Sequence, residues 1–270
     1  MNAPIRIACH TLMLLGALAS RLDAAITVLG PGHMDFDINV DSSGEWSTSL
    51  SHDVQGAFAT DTDSVLYLIN QSMPTGSRAA RPSGSQWSFL GTPAGGNVWI
   101  LPQTQSASPN AVWLGLSTEG TSASYLGAWD PAHTSVASGQ WIELRLLGVE
   151  YHGNETNNQF SMWLTDGFGN PNVWMDTADG IATTGLDDVY YMPIGGHVHM
   201  NWGFTSMGIY DVTFEARTYL ANGSESISED FTVRFGVNAT DVVPEPGRGL
   251  LLMLGLSMLL GRRGRRRIRG

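Results

Sequence analysis

His197 and His199 stand two residues apart. On a β-strand, positions i and i+2 project from the same face, so both imidazoles can meet one ion. Neutral imidazole suits zinc, copper or nickel, and a further histidine or a carboxylate completes such a shell. With an ordinary pKa of about 6.5, these rings are mostly neutral, and so able to ligate, at pH 7. His33 and Asp35 repeat the same spacing far away in the chain. They supply the missing ligands if their strand lies beside the pair. The competing reading is structural: the His and Asn side chains of His197-x-His199-x-Asn201-Trp202 satisfy loop backbone groups while Trp202 plugs a core. The deciding geometry is whether His33 meets the pair in a partly open pocket.

Other chemistry is weaker or absent. Asp35-x-Asp37-x-Asn39-x-Asp41 imitates a calcium loop, but Val40 stands where glycine is needed and Trp46 where the closing glutamate belongs. Its apolar alternation is that of a strand. Asp61, Asp63, Asp187 and Asp188 are loop carboxylates able to hold calcium weakly, or simply a solvated acidic face. Nine Trp raise a carbohydrate-binding alternative. Trp99, Trp113, Trp141 and Trp163 lie in or beside apolar runs and read as core. Trp46, Trp87, Trp129 and Trp174 flank loops and are the candidates for stacking on sugars. No Gly-x-Ser-x-Gly elbow, no His-Glu-x-x-His, no phosphate loop and no thiol nucleophile occurs, so no catalytic residue is assigned and the expectation is a protein that is not an enzyme.

The elements that would position these residues are strands. His33 to Asp41 alternates, with Met34, Phe36, Ile38 and Val40 on one face. Residues 209–218 put Tyr210, Val212, Phe214 and Ala216 together, and residues 231–237 do the same with Phe231, Val233, Phe235 and Val237. Short apolar runs at Val65–Ile69, Val98–Leu101, Val112–Leu116 and Phe160–Leu164 suit buried strands, and Trp141–Val149 reads likewise. No segment of the body keeps a helical period over three turns. The fold class expected is all-β, an antiparallel β-sandwich with immunoglobulin-like last strands joined through Asn222-Gly223. Residues 75–86 form a polar loop that either divides the body or is one long turn.

The charge is segregated. All 14 basic residues are Arg, and the formal net charge is −11. Residues 25–243 hold five Arg against 23 Asp and Glu, a net charge of −18. So acidic a body repels phosphate backbones, and no nucleic acid is expected as a partner. The Arg excess sits at the ends. Residues 1–24 combine Arg6, an apolar run from Ile7 to Ala19 and a small-residue exit, which describes a secretory signal helix cleaved near Ala24 or Ala25. The single cysteine, Cys9, lies inside it. Residues 242–270 carry Pro244-Glu245-Pro246, an apolar run from Leu250 to Leu260, and an Arg cluster from Arg262. Eleven apolar residues fall short of the roughly 20 that a spanning helix needs.

This tail resembles the PEP-CTERM sorting signal of Gram-negative bacteria. The resemblance implies recognition of Pro244, Glu245 and Pro246 by an exosortase-type processing enzyme, and transient inner-membrane insertion through a short C-terminal helix. It also implies a product exported to the cell surface or extracellular matrix. The body, 25–241, resembles the choice-of-anchor M surface proteins, which are related to the actinobacterial surface-anchored repeat. The resemblance rests on His197-x-His199-x-Asn201-Trp202-x-Phe204 followed by Gly208-x-Tyr210. Gly32-His33-Met34-Asp35, Phe89-Leu90-Gly91, Val98-Trp99 and Phe160-Ser161-Met162-Trp163 agree with it in order. Ser206-Met207-Gly208 departs from it, where the family often has a proline before the glycine. The resemblance implies a location and no reaction; the related repeat is associated with transporters whose binding proteins resemble zinc or manganese carriers. The sequence therefore points to a noncatalytic exported surface protein, with zinc or another transition metal as candidate cofactor. The alternative is an adhesin that binds exopolysaccharide.

Overall fold

Strand alternation in the sequence becomes three β-sheets in the computed structural model, which describes residues 27–60, 65–69, 78–105 and 112–238. The largest sheet runs β1 (Thr27–Leu29), β5 (Val65–Ile69), β17 (Phe231–Val237), β15 (Gly208–Tyr219), β9 (Trp141–His152) and β12 (Val189–Pro193). The short β16 (Glu225–Ile227) also pairs with β15. A second sheet runs β11 (Pro171–Asp176), β10 (Phe160–Thr165), β14 (Asn201–Phe204), β7 (Asn97–Leu101) and β6 (Arg78–Ala80). The third, the histidine sheet, runs β13 (His197–His199), β8 (Val112–Ser117), β2 (Gly32–Val40), β3 (Trp46–His52) and β4 (Gly56–Ala59).

The expected strands form, and their inward faces are those read from the alternation. Met34, Phe36 and Ile38 of β2 are fully buried, as are Tyr210, Val212, Phe214 and Ala216 of β15. Side chains from all three sheets enter one core. Trp202 of β14 lies edge-on to Phe214 at 6.4 Å and 5.7 Å from Phe235, while Phe36 of β2 reaches Phe214 at 6.4 Å. Each such ring contributes on the order of 2–3 kcal/mol by leaving water. That burial suits a body whose residues from 25 onward include no cysteine.

One expectation needs correction. The pairing is not wholly antiparallel: β1 with β5, β5 with β17, and β2 with β8 run parallel. Alternation reports which face a residue takes and carries no information on the direction of a neighbouring strand. Asn222-Gly223 lies, as expected, in the connection between the antiparallel β15 and β17. Gly223, at φ 82°, turns β15 into β16, and β17 follows. Among the described residues no helix is long and apolar enough to cross a membrane. The segments expected to form signal and sorting helices, with Pro244, Glu245 and Pro246, lie outside the described residues. Part of the 75–86 loop does too; its described remainder contains β6 and the start of a 3-10 turn, Ser85–Leu90. The described residues belong to one compact unit.

Candidate metal centre

The segment from β12 to β14 visits each sheet in turn, and β13 is its brief passage along the edge of the histidine sheet. β8 separates β13 from β2, pairing antiparallel with the first and parallel with the second. In register, Gly115 of β8 lies between Asp35 on one side and His199 on the other. Strands are spaced about 4.8 Å apart, so the flanking strands stand roughly 10 Å from each other. Side chains leaning inward from both can meet only if the intervening residue has none. Gly115 provides that gap: a Cβ there would sit 2.5 Å from Asp35 Oδ1 and 2.6 Å from His197 Nε2.

Four ligand atoms converge over it. His33 Nε2 is 3.2 Å from His199 Nε2 and 3.6 Å from Asp35 Oδ1, and His197 Nε2 is 2.7 Å from Asp35 Oδ1. The four residues offer one atom each, all within 4.8 Å of one another. Zinc bonds of 2.0–2.1 Å in a tetrahedron place ligand atoms about 3.3 Å apart, so the set is close to the size such an ion requires. The side chains are partly open, with His33 21% and His197 29% exposed.

The inward nitrogens of His33 and His199 face each other, and the outer nitrogen of His33 has a partner of its own. His33 Nδ1 lies 3.2 Å from Asp53 Oδ1. A carboxylate only accepts, so this contact puts the proton on Nδ1 and leaves Nε2 a lone pair aimed at the cluster, where His199 Nε2 lies 3.2 Å away. Asp35 Oδ1 is buried without a well-aligned donor despite the nearness of His197, and His199 Nδ1 is buried likewise. Trp113 of β8 stacks on His199, rings 3.6 Å apart and 10° from parallel, and fixes its plane.

The electrostatics favour ligation. Burial, and then the neighbouring His197 and His33, push the His199 pKa down to about 4, so the ring is neutral at pH 7. Burial raises the Asp35 pKa above its ordinary value, against the pull of His197 and His33. A cation in the cluster would relieve that cost. The strands of this sheet carry no Arg or Lys. Arg145 and Arg217 pair with Glu143, and Arg234 pairs with Asp211, all on the large sheet.

The structure thus brings His33 together with His197 and His199, and adds Asp35, which the spacing had offered as a ligand. The other residues of the sequence motif do different work. Asn201 Oδ1 accepts from Gln103 N–H at 2.9 Å, and its amide donates to Thr165 Oγ1 at 3.1 Å. Trp202 and Phe204 are fully buried core residues. The Tyr210 hydroxyl donates to the Ser206 carbonyl at 3.1 Å and accepts from its N–H. Gly208, at φ 142°, lets the Tyr151 ring lie against the backbone. Sequence reasoning missed Gly115 and Asp53, and it misplaced Trp113, which is a half-buried wall of the cluster rather than core. Trp141 is also only half-buried, whereas Trp99 and Trp163 are core as expected.

The calcium candidates resolve differently. Asp37 accepts from the hydroxyls of Ser49 and Ser51, and Asp41 Oδ1 accepts from the N–H groups of Ser43 and Glu45 in the turn after β2. Asp188 holds its own loop, accepting from Asp176 N–H at 3.0 Å and Ala182 N–H at 2.7 Å. Asp61 and Asp63 lie outside the described residues. The four loop tryptophans are all half-buried; Arg217 covers Trp129 at 5.4 Å, and His133 stacks against Trp174 at 5.4 Å. No family model matches the chain, and no curated protein or solved structure does either.

Proposed function

We propose that this chain is an exported β-sandwich protein of the cell surface or extracellular matrix, with immunoglobulin-like last strands and no catalytic activity. In this proposal it binds one transition-metal ion through His33, Asp35, His197 and His199. The observation that carries the metal reading is the convergence of four lone-pair atoms over the gap left by Gly115. Three imidazoles and one carboxylate gathered within 4.8 Å of one another fit zinc best among common ions; calcium prefers six to eight oxygens. Four protein ligands close the shell. A catalytic zinc site keeps one position open for water or substrate, so the closed set supports a structural or storage role.

The export half rests on the two ends of the sequence. A leader over residues 1–24 and the Pro244-Glu245-Pro246 tail support passage across the inner membrane and processing by an exosortase-type enzyme, which would remove most of the Arg. The test is metal analysis of the purified chain after exposure to Zn(II), followed by gel filtration and a chelator titration. One equivalent of zinc, retained until the chelator outcompetes it, is the expected result. Absence of bound zinc, copper or nickel at stoichiometric loading overturns the metal assignment and leaves the export proposal to its own test, the mass of the mature C-terminus.

A further inference from the structure

β13 is a short element of the histidine sheet. It has three residues, sits at the sheet edge, and pairs only with β8, over His197↔Ser117, Val198↔Leu116 and His199↔Gly115. It is entered through a tight turn in which Gly195 has φ 65° and Gly196 N–H donates to the Pro193 carbonyl at 3.2 Å. It is left by a chain that crosses at once into β14 of another sheet. Two of its three residues are ligands, and the other two ligands lie on β2, on the far side of β8. An ion in the site therefore joins strands that share no backbone pairing and whose side chains already touch, His33 Nε2 with His199 Nε2 at 3.2 Å and His197 Nε2 with Asp35 Oδ1 at 2.7 Å.

We propose that the metal fastens β13 to β2 across β8, acting as the cross-link that the cysteine-free body cannot make as a disulfide. This rests on the metal reading of the same site and adds its purpose. Without the ion, the cluster holds β13 to β2 through those two side-chain contacts alone, each weaker than a metal–ligand bond. With the ion, four bonds close a loop between residue 33 and residues 197–199. The β12-to-β14 passage then becomes a fixed corner linking the three sheets. Gly115 is the residue that makes the bridge possible, because any side chain there occupies the space in which the four atoms meet.

Amide hydrogen exchange on the full chain tests this, with Zn(II) alone as the probe. Zinc should slow exchange in β13 by up to about 100-fold when free zinc is 100 times its Kd. Amides of β11, in a sheet that supplies no ligand, should keep their rate wherever they exchange by local opening. Gly115→Ala should fold, since the atoms its methyl meets are ends of movable side chains and its φ is not in the left-handed range. In that variant zinc should leave β13 exchange unchanged. His33→Gln, which alters β2 alone, should abolish the zinc effect on β13 as well. Zinc that binds without slowing β13, or that slows β11 equally, overturns the cross-link while the metal reading stands. Zinc that does not bind overturns both.

Discussion

Two clusters of titratable side chains in this chain look alike on paper and differ in what they lack. The first is the His33, Asp35, His197 and His199 group over β8. The second gathers Asp176, Asp179, Asp187 and Asp188 around a pocket of about 430 Å³ walled by Trp174 and His133. In the acidic cluster the two inner carboxylates already have donors. Asp188 accepts from two backbone N–H groups, and Asp176 Oδ1 accepts from Ala178 N–H at 3.0 Å. These acids shape the loop between β11 and β12 and repel one another as the residual cost. In the histidine cluster the outer nitrogen of His33 is satisfied by Asp53, His33 Nε2 faces His199 Nε2 at 3.2 Å, and Asp35 Oδ1 is buried without a hydrogen-bond donor. Crowding of charged residues is thus a poor guide to an ion site. Ligand atoms from different side chains converging at ligand spacing are a better one, and among the described residues the histidine group is where they do so.

The sharpest way to break that contrast is to remove one member of each cluster and read zinc affinity by competition with a chelating dye. His199→Ala should weaken zinc binding by more than about 100-fold, beyond the 10–100-fold that accompanies loss of an outer partner. Asp179→Asn should change it by less than twofold. Equal losses in the two variants would mean that general negative charge, rather than ligation, holds the ion. A smaller effect separates ligand from supporter. Asp53→Ala leaves every ligand in place but removes the acceptor that keeps the His33 proton on Nδ1. Affinity should fall about tenfold, with the melting temperature of the metal-free protein unmoved, since Asp53 is 67% exposed. A loss as large as that of His199→Ala would make Asp53 itself a ligand.

Much of this was legible in the sequence, for a physical reason. Side-chain alternation is local, so β2, β15 and β17 and their buried faces could be read directly, and His-x-His placed two imidazoles on one face. Strand order is not local. Nothing in the spacing of Gly32–Val40 says that it pairs parallel with Val112–Ser117, a connection spanning some seventy residues, so the meeting of His33 with His199 could only be posed as a condition. Gly115 was invisible for a related reason: inside Val112–Leu116 it reads as a small residue in a buried strand, and its importance exists only once the neighbours on both sides are known. Trp113 misled because an apolar run suggests burial on both faces, whereas one face of β8 carries the cluster. Asn201, Trp202, Phe204, Gly208 and Tyr210 were recognisable as a motif, yet the motif mixes ligand residues with the core and turn that place them.

The acidic cluster makes its own prediction, with the opposite sign to an ion site. Burial first, then the charge of Asp179, pushes the Asp176 pKa up to about 6 from 3.8. Between those values the native state holds a proton that the unfolded chain has released. Stability therefore falls as the pH rises through that window, and the penalty is fully present at pH 7. Asp176→Asn removes the charge and keeps an oxygen to accept from Ala178 N–H. The variant should be more stable than the parent at pH 7 by about 1 kcal/mol, a value discounted for the partial exposure of the side chain. That corresponds to a melting-temperature gain of roughly 2–4 °C for a body of this size. Near pH 4 the two proteins should melt within about a degree of each other. If calcium occupied this pocket, the charge of Asp176 would be neutralised, and calcium would raise the melting temperature of the parent but not of the variant. An unchanged melt on adding calcium, together with the gain at pH 7 that vanishes in acid, marks these carboxylates as loop-builders that tolerate their own repulsion. The reverse pattern would place an ion among them and erase the contrast with the histidine cluster.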